Sequence, residues 1–193
     1  MRSLLRYSFL LMAVLGFSLL STLARAELKE HTYYRVSRVI DGDTIKLQNG
    51  EMVRLIGIDT PEMKNNAKLK RDVKERHVTA KAELKKGRQA YLFTKHLVEG
   101  KKVHLKFDRN KYDNYHRTLA YVFLSSGLFV NAEIVKDGYA YVYSVKPDLQ
   151  YAPLFRRLYK EAKDHRRGLW GSRPGRASNP AQGVKWFKSG TSN

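Results

Sequence analysis

Between Tyr33 and Ile58, apolar and polar positions change over with the period of two that marks β-strands. Tyr33–Ile40 is rich in Tyr, Val and Ile. Asp43–Gln48 sets Ile45 and Leu47 against Thr44 and Lys46, and Met52–Ile58 is a third apolar run. Asn49-Gly50 between the last two is a hairpin signal, because both residues tolerate the positive φ of a tight turn. The stretch reads as a three-stranded meander. Met63–Arg88 breaks the pattern: it is dense in Lys, Arg, Asp and Glu, and reads as a charged excursion with a solvated helix around Val73–Lys86. Gln89–Val98 brings Leu92, Phe93, His96 and Leu97 onto one helical face, ended by Gly100. Lys102–Asp108 alternates again, with Val103, Leu105 and Phe107 inward and Lys102, His104 and Lys106 outward. Thr118–Leu124 is a further strand, turned at Ser126-Gly127. Val130–Asp137 is a short helix closed by Gly138. Tyr151–Arg167 is a longer one, with Leu154, Leu158 and Ala162 in line and Gly168 at its end. Strands first, then strands and helices interleaved, give an α+β chain, mainly β, with about five strands. A closed or partly open barrel carrying helices is the economical arrangement.

Composition changes the picture in two ways. Lys and Arg number 37 against 18 Asp and Glu in 193 residues, a net charge of +19. Self-repulsion of that size opposes compaction, which points to a polyanionic partner: nucleic acid, an anionic membrane or an acidic polysaccharide. The absence of cysteine excludes disulfides, thiolate metal sites and cysteine nucleophiles. At the N-terminus, Arg2 and Arg6 precede an uncharged stretch from Tyr7 to Ala24, and Ala24-Arg25-Ala26 has the small-x-small form of a signal-peptidase site. The strongly apolar part is shorter than the roughly 20 residues of a spanning helix. Residues 1–26 are therefore read as a cleaved signal peptide, 27–171 as the folded domain and 172–193 as a basic tail. The expected location is periplasmic or secreted, without stable membrane association after cleavage.

Three short segments concentrate polar residues where strands end: Ile40-Asp41-Gly42-Asp43-Thr44, then Arg54 through Glu62, then Asp113-Asn114-Tyr115-His116-Arg117. A hairpin at Asn49-Gly50 returns the chain antiparallel and puts Asp43 and Asp59 near the same end of the sheet. Two carboxylates with nearby backbone carbonyls form a hard-oxygen site suited to Ca²⁺ or Mg²⁺. Taken singly, each Asp is equally a turn residue. Arg54 interrupts an apolar strand and, by alternation, shares a face with Ile56 and Ile58; unpaired burial is costly, so it faces solvent or meets an anion. Arg117 enters the next apolar strand in the same way. Two arginines aimed at one anion suit a transferring phosphoryl group, whereas surface salt bridges are the plainer reading of either alone. Glu62, behind Pro61, is placed to take a proton from an attacking water. The combination points to metal-assisted phosphodiester hydrolysis.

These segments resemble those of the staphylococcal nuclease (thermonuclease) family. Ile-Asp-Gly-Asp-Thr, Arg-x4-Asp-Thr-Pro-Glu and Asp-x-Tyr-x-Arg-x-Leu-Ala-Tyr stand here in the family's order, and Gly168-Leu169-Trp170 is similar to its closing segment. The resemblance covers about Tyr33 to Gly171. It implies a five-stranded OB-fold barrel with about three helices, and Ca²⁺ held by Asp43, Asp59 and the Thr60 carbonyl. It implies Glu62 as general base, and Arg54 and Arg117 on the phosphate and its pentacoordinate transition state. It further implies hydrolysis of DNA and RNA to 3′-phosphate ends, with Tyr115, Tyr139 and Tyr141 as candidate substrate contacts. His116 and Asn114 stand where the family commonly has Gly and Lys. Met63–Arg88 is longer than the comparable loop and is expected to extend a basic rim.

Two rivals follow from the same composition. One is a non-catalytic OB barrel that holds single-stranded nucleic acid; retention of Asp43, Asp59, Glu62, Arg54 and Arg117 counts against it. The other is an effector acting on membranes, which lacks the amphipathic helix it would need. The histidines, His31, His77, His96, His104, His116 and His165, show no zinc-type spacing. A monomer is expected.

Overall fold

The computed structural model describes residues 32–143 and 150–171. The expected signal peptide (1–26) and basic tail (172–193) lie outside the described residues, so the domain boundaries are not decided by it. Among the described residues the strands are β1 (Tyr33–Asp41), β2 (Thr44–Leu47), β3 (Met52–Leu55), β4 (Ile58–Asp59), β5 (Lys102–Lys106), β6 (Thr118–Leu124) and β7 (Tyr141–Val142). Five of them close a barrel in the order β1-β2-β3-β6-β5, with β5 returning to β1. β3 and β6 are parallel; the other barrel pairs are antiparallel. This is the five-stranded OB-type barrel expected from the sequence.

The barrel closes on side chains from alternate positions: Ile45, Leu47, Val53, Leu55, Val103, Ala120 and Val122 are all buried. Along β1 the buried positions are Val36 and Val39, three apart, because the register with β2 shifts between Val36 and Arg38 and again between Val39 and Asp41. Bulges of this kind bend and twist a strand far enough for closure. β6 is covered on both faces. Ala120 and Val122 fill the barrel, while Tyr121 is buried outside it against Phe129, Tyr151 and Phe155.

Among the described residues, helices α1 (Ala67–Arg76), α2 (Ala80–Val98), α3 (Val130–Lys136) and α4 (Ala152–Asp164), with a 3₁₀ turn at Gly168–Trp170, make four where about three were expected. The extra one comes from the charged excursion. A single helix over Val73–Lys86 does not form. The chain takes the left-handed conformation at His77 (φ 51°), and Thr79 caps a new helix by accepting from the Ala82 N–H at 3.2 Å. Gln89–Val98 is the second half of that helix. Met52–Ile58 is likewise not one strand. Gly57, at φ 81°, turns the chain out of the barrel, and Ile58–Asp59 pairs instead with Tyr141–Val142. Ile58 therefore belongs to a different ladder from Arg54. β5 ends at Lys106, and Phe107, expected inward, is exposed.

Candidate active site

The turn at Asp41-Gly42-Asp43 opens the site. Asp41 Oδ1 accepts from the Asp43 N–H at 3.1 Å, a local bond that Asp makes readily. The turn fits tightly beneath the next segment: a Cβ on Gly42 would lie 2.7 Å from Thr60 Oγ1. From α2, the Thr94 hydroxyl donates to the Gly42 carbonyl at 2.7 Å.

Asp43 is buried, and its Oδ2 accepts from the Thr60 N–H at 2.8 Å and the Thr60 hydroxyl at 3.1 Å. The motif residues from two ends of the meander are thus joined side chain to backbone. Arg54, opposite Thr44 in the β2–β3 register, spreads its fork across both acids. Nη1 meets Asp43 Oδ1, and Nη2 meets Asp59 Oδ1 at 3.1 Å. The exit at Gly57 is what brings Asp59 back over Arg54. Glu62 follows on the same segment, where Asn66 Nδ2 donates to its Oε2 at 2.7 Å.

Burial and repulsion divide the acids. Burial pushes Asp43 up, but Arg54, the hydrogen bonds from Asp41 and Thr60, and Lys68 bring it below the ordinary carboxylate range. Burial, then the Asp43 charge, push Asp41 up to about 7. Asp59 is also raised, by burial and by Asp43, against the pull of Lys68 and Arg54. Burial disfavours the charge on Arg54, yet Asp43, Asp59 and Asp41 hold its pKa above the ordinary arginine value.

Lys68 and Arg76, on α1, were not among the residues singled out in the sequence. The Lys68 ammonium lies 3.1 Å from the Thr60 carbonyl, 3.3 Å from Asp59 Oδ2, 3.1 Å from Glu62 Oε1 and 3.2 Å from Asp72 Oδ2. Burial disfavours that charge, but Asp59, Glu62 and Asp72 raise the Lys68 pKa. Arg76 reaches Asp59 Oδ2 at 3.7 Å, pairs with buried Glu83 and lies 3.9 Å over the Tyr141 ring. The recurrence Lys68, Asp72, Arg76 at four-residue steps was the available signal, since it puts all three on one helical face.

Arg117 stands apart from this cluster. It immediately precedes Thr118, the first residue of β6, which pairs with Val53 beside Arg54 on the adjacent strand. Asp113 holds it, accepting from its Nε at 2.7 Å and its backbone N–H at 2.9 Å. Among the tyrosines, Tyr115 is 80% exposed next to Arg117. Tyr139 is stacked on Phe93 and Tyr141 carries Arg76 on its ring, so a face of each is already covered.

Among the described residues no group of three or more His, Asp or Glu side chains forms a ready metal cage. The donor chemistry nevertheless suits a hard divalent ion: Arg54 joins two carboxylates, Asp43 and Asp59, and the Thr60 main-chain carbonyl shares Lys68 with Asp59. A cation of the chain itself, the Lys68 ammonium, already sits against the carbonyl of Thr60 and the carboxylate of Asp59.

A profile of the staphylococcal nuclease homologue family matches residues 52–172. The thermonuclease of Staphylococcus intermedius is 37% identical over 141 residues, 71% of this chain and 75% of that one. The thermonuclease of Staphylococcus hyicus is 34% identical over 146 residues, 72% and 76% of the two chains. Endonuclease YncB of Bacillus subtilis is 34% identical over 149 residues, 75% of this chain and 64% of that one. Read with the barrel and the Asp43–Arg54–Asp59 cluster, these likenesses show that the chain belongs to the staphylococcal nuclease family.

Proposed function

We propose that the protein is an exported, calcium-dependent nuclease of the micrococcal type that hydrolyses phosphodiester bonds of DNA and RNA and leaves 3′-phosphate ends. The observation that carries this reading is the Arg54 guanidinium bridging Asp43 and Asp59, with Glu62 close by on the same segment. The relatives named thermonuclease and endonuclease support the reaction class. The arginine-bearing leader with Ala24-Arg25-Ala26 at its end supports export.

Asp43, Asp59 and the Thr60 carbonyl would hold the ion. Ca²⁺ bound there supplies positive charge against a phosphoryl oxygen. Glu62 takes a proton from the water whose oxygen bonds to phosphorus. The P–O5′ bond breaks, the 5′-oxygen takes a proton from solvent while Glu62 returns its own to solvent, and the phosphate stays on the 3′ side. Arg54 on β3 and Arg117 just before the neighbouring β6 oppose the charge that builds on the equatorial oxygens. Tyr115, exposed beside Arg117, offers a ring to an unstacked base, worth about 1–3 kcal/mol without sequence preference.

Hydrolysis of heat-denatured DNA by the purified chain tests this directly. Cleavage with CaCl₂, lost in chelator and in an Arg54→Ala, Glu62→Gln double variant, is the expected result. Tight binding without cleavage under any divalent ion would replace the nuclease with a single-strand-binding barrel.

A further inference from the structure

Lys68 stands at the centre of the cation site without belonging to any of its motifs. Its ammonium meets the Thr60 carbonyl, Asp59 Oδ2, Glu62 Oε1 and Asp72 Oδ2, all between 3.1 and 3.3 Å. Four oxygens exceed the three protons an ammonium can donate, so this lysine is fully engaged. Three of the four belong to the segment that carries the expected ion ligands and the general base. The backbone that delivers Lys68 is fixed as well. Asn66 caps α1 through its Oδ1, accepting from the Leu69 N–H at 2.8 Å, and donates from Nδ2 to Glu62. Two turns further on, Arg76 reaches Asp59 from the same helical face.

We propose that Lys68 is a tethered competitor of the divalent ion. An ion held by Asp59 and the Thr60 carbonyl would meet the Lys68 ammonium already on those groups, and like charges brought that close repel strongly. The ion therefore enters by exchange with the Lys68 ammonium, and Lys68 sets the affinity for calcium. The exchange also releases Glu62 from its ion pair, so the base becomes free when the ion arrives. This inference rests on the calcium-dependent reading above.

Calorimetric titration of the purified chain with CaCl₂, at a mildly alkaline pH where the carboxylates are ionised, tests it without reference to activity. Lys68→Met is expected to bind Ca²⁺ about tenfold more tightly than wild type or better, and Lys68→Arg, which keeps the charge, to show no such gain. In the wild-type chain, saturation with CaCl₂ is expected to move the Lys68 side-chain NMR signal to the position of a solvated lysine. That arm decides the matter alone if the methionine variant does not fold. A variant that binds no more tightly, or a Lys68 signal that stays in place at saturation, overturns the inference while leaving the calcium reading intact. A wild-type chain that takes up no Ca²⁺ overturns both.

Discussion

Arg54 is the residue on which the site turns. Its two terminal nitrogens serve two carboxylates at once, in a rigid planar fork whose geometry a lysine ammonium does not reproduce. Arg54→Lys is therefore not conservative here. It is expected to lower kcat by about 10²–10³-fold with a smaller effect on KM, as for loss of a donor to a transition-state oxyanion. Steady-state kinetics on single-stranded DNA would show it, and a raised KM with kcat unchanged would mean that Arg54 only binds substrate. Asp108 is a residue of the scaffold instead. Its Oδ2 accepts from the Tyr121 hydroxyl at 2.8 Å and the Gln150 N–H at 3.1 Å, tying β6 to the approach of α4. Burial pushes Asp108 up, but these bonds and the Arg109 N–H bring it below its ordinary 3.8. A depressed carboxylate contributes stability above the unfolded value and loses it as the pH falls through the folded one. Asp108→Asn is thus expected to melt below wild type at neutral pH, with the gap closing under pH 3.8. Thermal melts across that range check it, and a gap independent of pH would assign the loss to geometry.

At the scale of elements, α2 is the platform for the Asp59–Glu62 segment. Gly87 lies in its interior, where glycine costs about 1 kcal/mol against alanine. A Cβ there would stand 2.1 Å from the Glu62 carbonyl oxygen and 2.8 Å from that of Pro61. The helix rests directly on the backbone that carries the proposed base. The two effects have opposite signs, and a backbone clash this close outweighs helix propensity. Gly87→Ala is expected to destabilise by about 1–3 kcal/mol and to reduce cleavage by shifting Glu62. Urea unfolding decides the sign, since a stabilised variant would mean that the segment yields at no cost. The same platform holds Gly42 through Thr94, so one helix positions both acid-bearing segments.

For the whole molecule, charge is the governing quantity. The net +19 is not spread evenly in its duties. Lys68 and Arg76 are committed to carboxylates, whereas Lys64, Lys70, Arg71 and Lys74 are exposed. Any basic rim formed by the charged excursion falls to the exposed set. Replacing those four with Gln is expected to flatten the salt dependence of single-strand binding by about 0.7 in slope for each phosphate no longer neutralised. Fluorescence titrations over a range of salt concentrations measure that slope, and an unchanged value would place the nucleic acid elsewhere. No helix among the described residues is long and apolar enough to cross a membrane.

The sequence by itself determined the elements whose signals are local. Strand β2 was legible because it alternates, β1 and β6 because they are short runs rich in β-formers bounded by turn residues, and α3 and α4 because apolar periodicity ends at a glycine. The acids and arginines of the site were legible as motifs, since their spacing follows from the turns that hold them. Tertiary structure decided the rest, because the rest depends on contacts distant in the chain. Nothing within Met52–Ile58 says that Gly57 will leave the barrel; the partner that draws Ile58–Asp59 away is Tyr141–Val142, more than eighty residues later. The four-residue recurrence within Met63–Arg88 puts Lys68, Asp72 and Arg76 on one helical face, but nothing in it says which segment that face will meet. Lys68 reads as one more surface lysine until α1 is laid against the Asp59–Glu62 segment, where the low-dielectric, acid-rich pocket makes its ammonium the natural counter-ion.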